Sequence, residues 1–461
     1  MSEVQPTTEN KMGTMPVNTL LITMSLPMIA SMLVQALYNI VDSIFVAQIG
    51  ENALTAVSLA FPLQSLMIAV AVGTCVGINA LLSRCLGERR LKEADLTAEN
   101  GIFLAFISYL IFAVVGLTAS RLFFASQTDN PEIIELGTQY LSICLVFSFG
   151  IFLEMTVERI MQSTGRTIYS MVTQGVGAII NIILDPIMIF GLFGFPRLGI
   201  QGAAIATVTG QIIAMILAFI MNAKKNPDVN ISFRHFRPNL NIIKKIYAVG
   251  IPSIVMQSII SVMTLGMNRI LIMFSETAVS VLGIYFKLQS FVFMPIFGLN
   301  NGMIPIIAYN YGARSKKRIM DTIKLSTMIA VSIMFIGFVI FMVYPAGLLR
   351  MFKASDHMLA IGVPALRVIS TSFLLAGYNI IISSVFQAMG NGVYSLVTAI
   401  ARQLICILPL AYFFASYAGL HAVWFAFPMA ELICCIITTY QFRKIYRNKI
   451  KPLGMDLAWD K

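Results

Sequence analysis

Long apolar runs broken by short polar stretches fill the chain from end to end. They lie at roughly 17–46, 53–83, 98–124, 133–162, 168–192 and 200–222, and again at roughly 246–274, 278–308, 322–349, 358–388, 393–416 and 419–442. Each reaches the ~20 residues that carry a helix across the hydrocarbon of a bilayer. The pattern predicts an all-α polytopic membrane protein with twelve transmembrane helices. One longer polar stretch divides them six and six. The predicted organisation is an N-terminal six-helix lobe over 1–223, a basic linker over 224–245, and a C-terminal six-helix lobe with its tail over 246–461.

Composition agrees. Of the 461 residues 58% are hydrophobic and only 11% charged, against about 25% charged in a soluble chain, and the mean hydropathy is +0.83. The bilayer is therefore most of the solvent. The excess of 32 basic over 21 acidic residues would point to nucleic acid in a soluble domain, but here it sorts by loop. Lys11, Arg84, Arg89, Arg90, Lys92, Arg166, the linker bases, Arg314, Lys316, Lys317, Arg318 and the tail from Arg443 to Lys451 fall on one side. The opposite loops carry Arg121, Arg197, Arg350 and Lys353. The positive-inside rule then puts both termini in the cytoplasm. Neither the six Cys nor the three His (His235, His357, His421) show metal-ligand spacing, and no disulfide is expected.

The chain also reads twice. Leu63-Gln64-Ser65 recurs as Leu288-Gln289-Ser290, and Gln162-x-x-Gly165-x-x-x-Tyr169-Ser170 recurs as Gln387-x-x-Gly390-x-x-x-Tyr394-Ser395, both at an offset of 225. The same offset pairs Pro27 with Pro252, Gly73 with Gly298, Gly77 with Gly302 and Arg89 with Arg314. Six spans per repeat give both halves one orientation, so the expected fold is two parallel bundles related by a pseudo-two-fold axis along the membrane normal, an architecture of alternating access. No GxxxxGK[ST] phosphate loop occurs, so transport would be driven by an ion gradient, with no nucleotide. No nucleophile–base constellation suggests an enzyme.

Carboxylates inside the spans carry the candidate chemistry, because each costs ~2.5–3.5 kcal/mol at a helix centre. The first half holds Asp42, Glu154, Glu158 and Asp185; the second holds Glu431. Asn181 and Asp185 are four apart and share a helix face, and Pro186 removes the N–H that would bond the Ile182 carbonyl. An amide, a carboxylate and a freed carbonyl suit a hard cation or a proton relay; the plainer reading is a polar residue capping a kinked turn. Asp42 matches Asp185 in depth, or is an interfacial residue. Glu154 and Glu158, stacked near the cytoplasmic end of the fourth helix, are further candidate acids, unless Glu158 pairs with Arg166 or another cytoplasmic base. Glu431 has Arg402 or Arg367 as candidate partners. Gln35 and Tyr38 share a helix face with Asp42 and are candidate cavity residues. Most of the 28 Met and 32 Phe face lipid or neighbouring helices, the remainder suiting a cavity for varied hydrophobic cations.

Several segments carry a resemblance. Ser25-Leu26-Pro27 with Tyr38 and Asp42, Gly50-x-x-Ala53-Leu54, Asn181-Ile182-Ile183-Leu184-Asp185-Pro186-Ile187, Gly199-Ile200-Gln201-Gly202-Ala203-Ala204 and Pro305-Ile306-Ile307-Ala308-Tyr309-Asn310-Tyr311-Gly312-Ala313 resemble the multidrug and toxic compound extrusion (MATE) family. With Glu158 and Ala430-Glu431 the resemblance is to its MepA-type branch, although many members have Asn where Glu158 stands. It implies an antiporter of the cell inner membrane exporting small hydrophobic or cationic drugs, with H⁺ or Na⁺ as coupling ion and no cofactor. It implies further that Asp42, Asn181 and Asp185 form an N-lobe site alternating between protonated or cation-bound and substrate-bound states. Where some relatives carry acids in the seventh and tenth helices, this sequence has Ile260 and Tyr378. The expected partners are those drugs and the lipid bilayer, with no nucleic acid and a monomeric chain. An alternative is a flippase for a lipid-linked precursor, which would use intramembrane Lys287, Arg367 and Arg402 around a basic cavity.

Overall fold

A computed structural model describes residues 10–352 and 354–454; Lys353, one of the bases assigned above to the outer loops, lies outside the described residues. All regular structure among the described residues is helical. In chain order the long helices are α1 (Val17–Ala47), α2 (Glu51–Gly87), α3 (Leu91–Thr118), α4 (Pro131–Val146), α5 (Phe149–Ser163), α6 (Thr167–Phe190), α7 (Ile200–Lys225), α8 (Leu240–Ile272), α9 (Glu276–Gly312), α10 (Lys316–Val343), α11 (Asp356–Ser370), α12 (Phe373–Ala388), α13 (Gly392–Ala418) and α14 (Leu420–Leu453). Ten are long and apolar enough to span a membrane alone. The pairs α4/α5 and α11/α12, bent by 42° and 49°, bring the number to twelve if each counts as one span. The fourth and tenth apolar runs are thus broken spans, where the hydrophobic pattern predicts unbroken helices. The breaks fall at Phe147-Ser148 and Thr371-Ser372, with no proline at either to announce them.

The repeat is visible in the backbone. Helices α2 and α9 are offset by 225 at both ends, and so are α3 and α10. Left-handed residues recur in step: Arg89 (φ 57°) with Arg314 (56°), Gly165 (85°) with Gly390 (77°), and Gly194 (84°) with Gly419 (81°). The Gln-x-x-Gly repeat now has a reason. After α5 the Gly165 N–H bonds the Gln162 carbonyl and the Arg166 N–H bonds the Met161 carbonyl; after α12, Gly390 and Asn391 make the same pair to Gln387 and Phe386. This helix-terminating closure needs a left-handed residue, which glycine adopts without strain.

Two compact units result. One comprises residues 26–254; the other comprises the segment ending at Ser25 together with Val255 onward. In the second, Met12, Leu20, Leu21 and Met24 are fully buried in the same apolar cluster as Met303, Phe373, Phe386 and Trp424. The Arg318 guanidinium fixes the chain ahead of α1, donating to the carbonyls of Met12 (2.9 Å) and Met15 (2.8 Å) and to Asn310 Oδ1 (3.0 Å). In the first unit the start of α8 crosses α2 so closely that any Cβ on Gly77 would strike the Ile246 carbonyl.

The polar linker shrinks to residues 226–239, because α7 runs to Lys225 and α8 begins at Leu240. It is pinned to the start of α3: Asp95 Oδ1 accepts from Asn230 N (2.7 Å), Glu99 Oε1 from Ser232 N (3.0 Å) and Asn100 Oδ1 from Asn239 N (2.9 Å). Arg166 pairs with Asp228 in the same stretch at 3.2 Å.

Gly77→Val therefore forces the α2–α8 crossing apart. It should destabilise the protein by about 1–3 kcal/mol, read as a lower midpoint of thermal unfolding in detergent. Gly175→Ala, where an added Cβ meets nothing within 4 Å, should leave that midpoint unchanged.

Candidate functional site

Helices α6 and α7 touch backbone to backbone. A Cβ on Gly210 would lie 2.7 Å from the Gly177 carbonyl, and one on Gly177 would lie 2.9 Å from Ala214 Cβ. Small residues permit such an approach between membrane helices. On α6 the buried positions Thr173, Gly177, Asn181 and Asp185 recur every four residues, so one stripe faces the bundle.

One turn past the glycine contact, Asn181 bridges Asp185 and Thr207 of α7. With the amide oriented to satisfy both of its ends, its nitrogen donates to Asp185 Oδ2 at 3.1 Å and its oxygen accepts from Thr207 N at 3.0 Å and Thr207 Oγ1 at 3.2 Å. Asp185 is fully buried. Helix α1 adds Tyr38 and Asp42, one turn apart. The Asp42 carboxyl lies within hydrogen-bonding reach of Asp185, and the Tyr38 hydroxyl adjoins Thr207. Gln64 Nε2 donates to the Tyr140 hydroxyl at 3.4 Å, with Cys144 of α4 adjoining both. Asp42 Oδ1 is buried with no hydrogen-bond partner among the described residues.

Sequence-predicted Asp42, Asn181 and Asp185 are thus brought together, with Tyr38 among them. Gln35 is exposed one turn before Tyr38. The chemistry follows from counting donors. An ionised carboxylate only accepts hydrogen bonds, so two carboxyls in contact need a proton or a cation between them, and Asn181 supplies one donor.

Glu154 and Glu158 belong elsewhere. Both are buried on α5, where Glu158 Oε1 accepts from Thr173 Oγ1 at 2.6 Å and Arg159 is its charged neighbour. Thr173 and Asp185 are twelve residues apart on one helix, or roughly 18 Å along its axis. The expected partner Arg166 goes to Asp228 instead.

The other unit closes its one intramembrane acid. Glu431 Oε1 pairs with Arg402 Nη1 at 3.2 Å, and Glu431 Oε2 accepts from Asn379 Nδ2 at 2.7 Å. Of the two candidate bases the structure selects Arg402; Arg367 Nε donates to the Met342 carbonyl at 3.2 Å. Arg402 sits in a π-helical turn, Ala401–Ile407. Of the three bases that would line a flippase cavity, Arg402 is occupied by Glu431, Arg367 by a backbone carbonyl, and Lys287 is exposed.

Sequence reasoning missed Thr207, Gln64, Tyr140, Cys144 and Arg159 as neighbours of these acids. Thr207 follows the Gly202-Ala203-Ala204 motif by one turn, and Gln64 lay inside a repeated triplet, so both carried a signal. Tyr140 and Cys144 look like any residues of an apolar helix.

Glu431 is buried and Arg402 half-buried, so leaving one member of the pair alone should cost up to about 3 kcal/mol. Arg402→Met and Glu431→Leu singly should each lower the thermal unfolding midpoint, and the double variant should recover most of the loss. Equal, additive losses would show that the pair is not coupled.

The family described as MatE matches residues 27–187 and 252–413, two stretches whose starts are again 225 apart. The multidrug export protein MepA of Staphylococcus haemolyticus is 28% identical over 418 residues, covering 90% of this chain and 91% of that protein. A solved outward-facing conformation of a multidrug resistance MATE family transporter of the MOP superfamily superposes with a TM-score of 0.90 at 27% identity, covering 98% of this chain and 100% of that one. A solved MATE in complex with MaL6 gives 0.89 at 27% identity, with the same coverage. These relatives are transporters, and the long apolar helices of the present chain match a multi-pass membrane protein. The chain belongs to the MATE family.

Proposed function

We propose that this protein is a cation-coupled multidrug exporter that exchanges H⁺ or Na⁺ for hydrophobic organic cations by alternating access, with Asp42, Asn181 and Asp185 as its coupling site. The observation that carries this reading is the contact of two carboxyls from separate helices inside an apolar bundle. A proton or cation between them removes their mutual repulsion. Without it, two unit charges ~4 Å apart at an effective dielectric constant of ~20 repel by about 4 kcal/mol. That exceeds the ~1–3 kcal/mol typical of coupling between sites, so loading the site biases how α1 lies against α6. Helix α1 already lacks one backbone bond at Pro27. The ionised pair attracts a cationic substrate, which makes ion and substrate alternatives and the exchange obligatory. The loop distribution of Lys and Arg supports cytoplasmic termini, and the reading requires one chain with no cofactor.

Asp185→Asn keeps the shape and the hydrogen bond from Asn181 but removes the charge. It should reduce ethidium efflux from loaded cells to the level of cells lacking the protein, at unchanged abundance in the membrane; full efflux would sink the assignment. Adding substrate to purified protein should release protons if H⁺ is the coupling ion. Release that is absent, with substrate binding weakened by added Na⁺, would identify Na⁺.

A further inference from the structure

The starts of α1 and α10 enclose an open cleft of about 600 Å³ that the exchange reaction does not use. Its upper wall is basic. Lys317 and Lys324, seven residues apart, lie on one exposed face of α10 and both line the cleft. Among the described residues neither has an ion-pair partner. Asp321 lies between them on the same face, and Arg318, held by the Met12 and Met15 carbonyls, adds a third positive charge.

The opposite wall is the first turn of α1, through Val17 and Asn18. The first backbone bond of that helix runs from Leu20 N to the Pro16 carbonyl, so the N–H groups of its first turn have no acceptor within the helix, and no acidic residue stands there. Free N–H groups at a helix start favour an anion. The lower wall is apolar. Leu325 and Met328 line it, Met328 being 58% exposed on a helix apolar enough to span the membrane.

Positive charge and backbone donors above, with exposed apolar surface directly below, match an amphiphile whose head is anionic. A free phosphate would use only the upper part. We propose that this cleft binds the phosphate headgroup of an anionic phospholipid, with the first methylenes of its chains against Leu325 and Met328.

The test is native mass spectrometry of the full chain in detergent, titrated with phosphatidylglycerol or with phosphatidylcholine of equal chain length. Each Lys near anionic lipid contributes ~1 kcal/mol, so replacing both should weaken phosphatidylglycerol binding about 30-fold. The variant is Lys317→Gln with Lys324→Gln. Lys317→Arg with Lys324→Arg should retain binding, which separates lost charge from lost fold. Lys224→Gln with Lys225→Gln, bases elsewhere on the polar edge, should leave it unchanged. Millimolar inorganic phosphate should not displace the lipid. Equal binding of phosphatidylcholine, an equal loss in the Lys224/Lys225 variant, or displacement by phosphate alone would each overturn the proposal, the last by making free phosphate the ligand.

Discussion

A carboxyl group held in hydrocarbon has to find its donor, its proton or its counter-ion inside the protein, and the two units meet that demand in opposite ways. Glu431 is closed: one oxygen is held by Arg402 and the other by Asn379. Asp42 and Asp185 are left facing each other, with Asn181 as a donor to one and a buried Asp42 oxygen still unbonded. Glu431 has its counter-charge built into the chain, whereas the Asp pair has an amide donor and no basic side chain bonded to it among the described residues. An apolar surrounding sharpens the difference, because a missing partner there is costly.

The same backbone plan supports both solutions. Subtracting the repeat offset, Arg402 stands where the first repeat has Gly177, Glu431 where it has Ala206, and Asn379 where it has Glu154; Asp185, Asn181 and Asp42 become Leu410, Cys406 and Met267. In the first repeat, glycine lets α6 and α7 meet backbone to backbone, and that contact sets Asn181 against Thr207. In the second repeat a guanidinium occupies the crossing point, and the helix carrying it widens into a π turn, the kind of local expansion often found where a helix accommodates a special residue. One difference of size thus accompanies the exchange of a tight helix pair for a partly buried ion pair.

Much of this was legible in the sequence. The apolar runs, the 225-residue offset and the i,i+4 spacing of Asn181 and Asp185 pointed to the spans, the repeat and the α6 half of the candidate site, because length, period and intramembrane charge are local signals. The bends at Phe147-Ser148 and Thr371-Ser372 were not legible, since neither break interrupts hydropathy. Thr207 was missed because a threonine in an apolar helix usually bonds its own backbone, and only the α6–α7 crossing aims this one at Asn181. The partner of Arg166 was not legible for a related reason: of the alternatives open for Glu158, pairing with Arg166 gives way to Asp228, which lies in the linker, 62 residues away, and reaches Arg166 because the linker folds back onto α3.

The grouping of the segment before Ser25 with Val255 onward has a consequence for how the chain is assembled. Neither half of the gene encodes a complete unit. A fragment ending in the linker carries Met12, Leu20 and Met24 with nothing to bury them, and leaves Gly77 without the helix that crosses it. The complementary fragment has the mirror deficit. During synthesis the unit of residues 26–254 is complete as soon as Ile254 has emerged, whereas Met12, Leu20 and Met24, made before any of it, must wait for the last half of the chain to bury them.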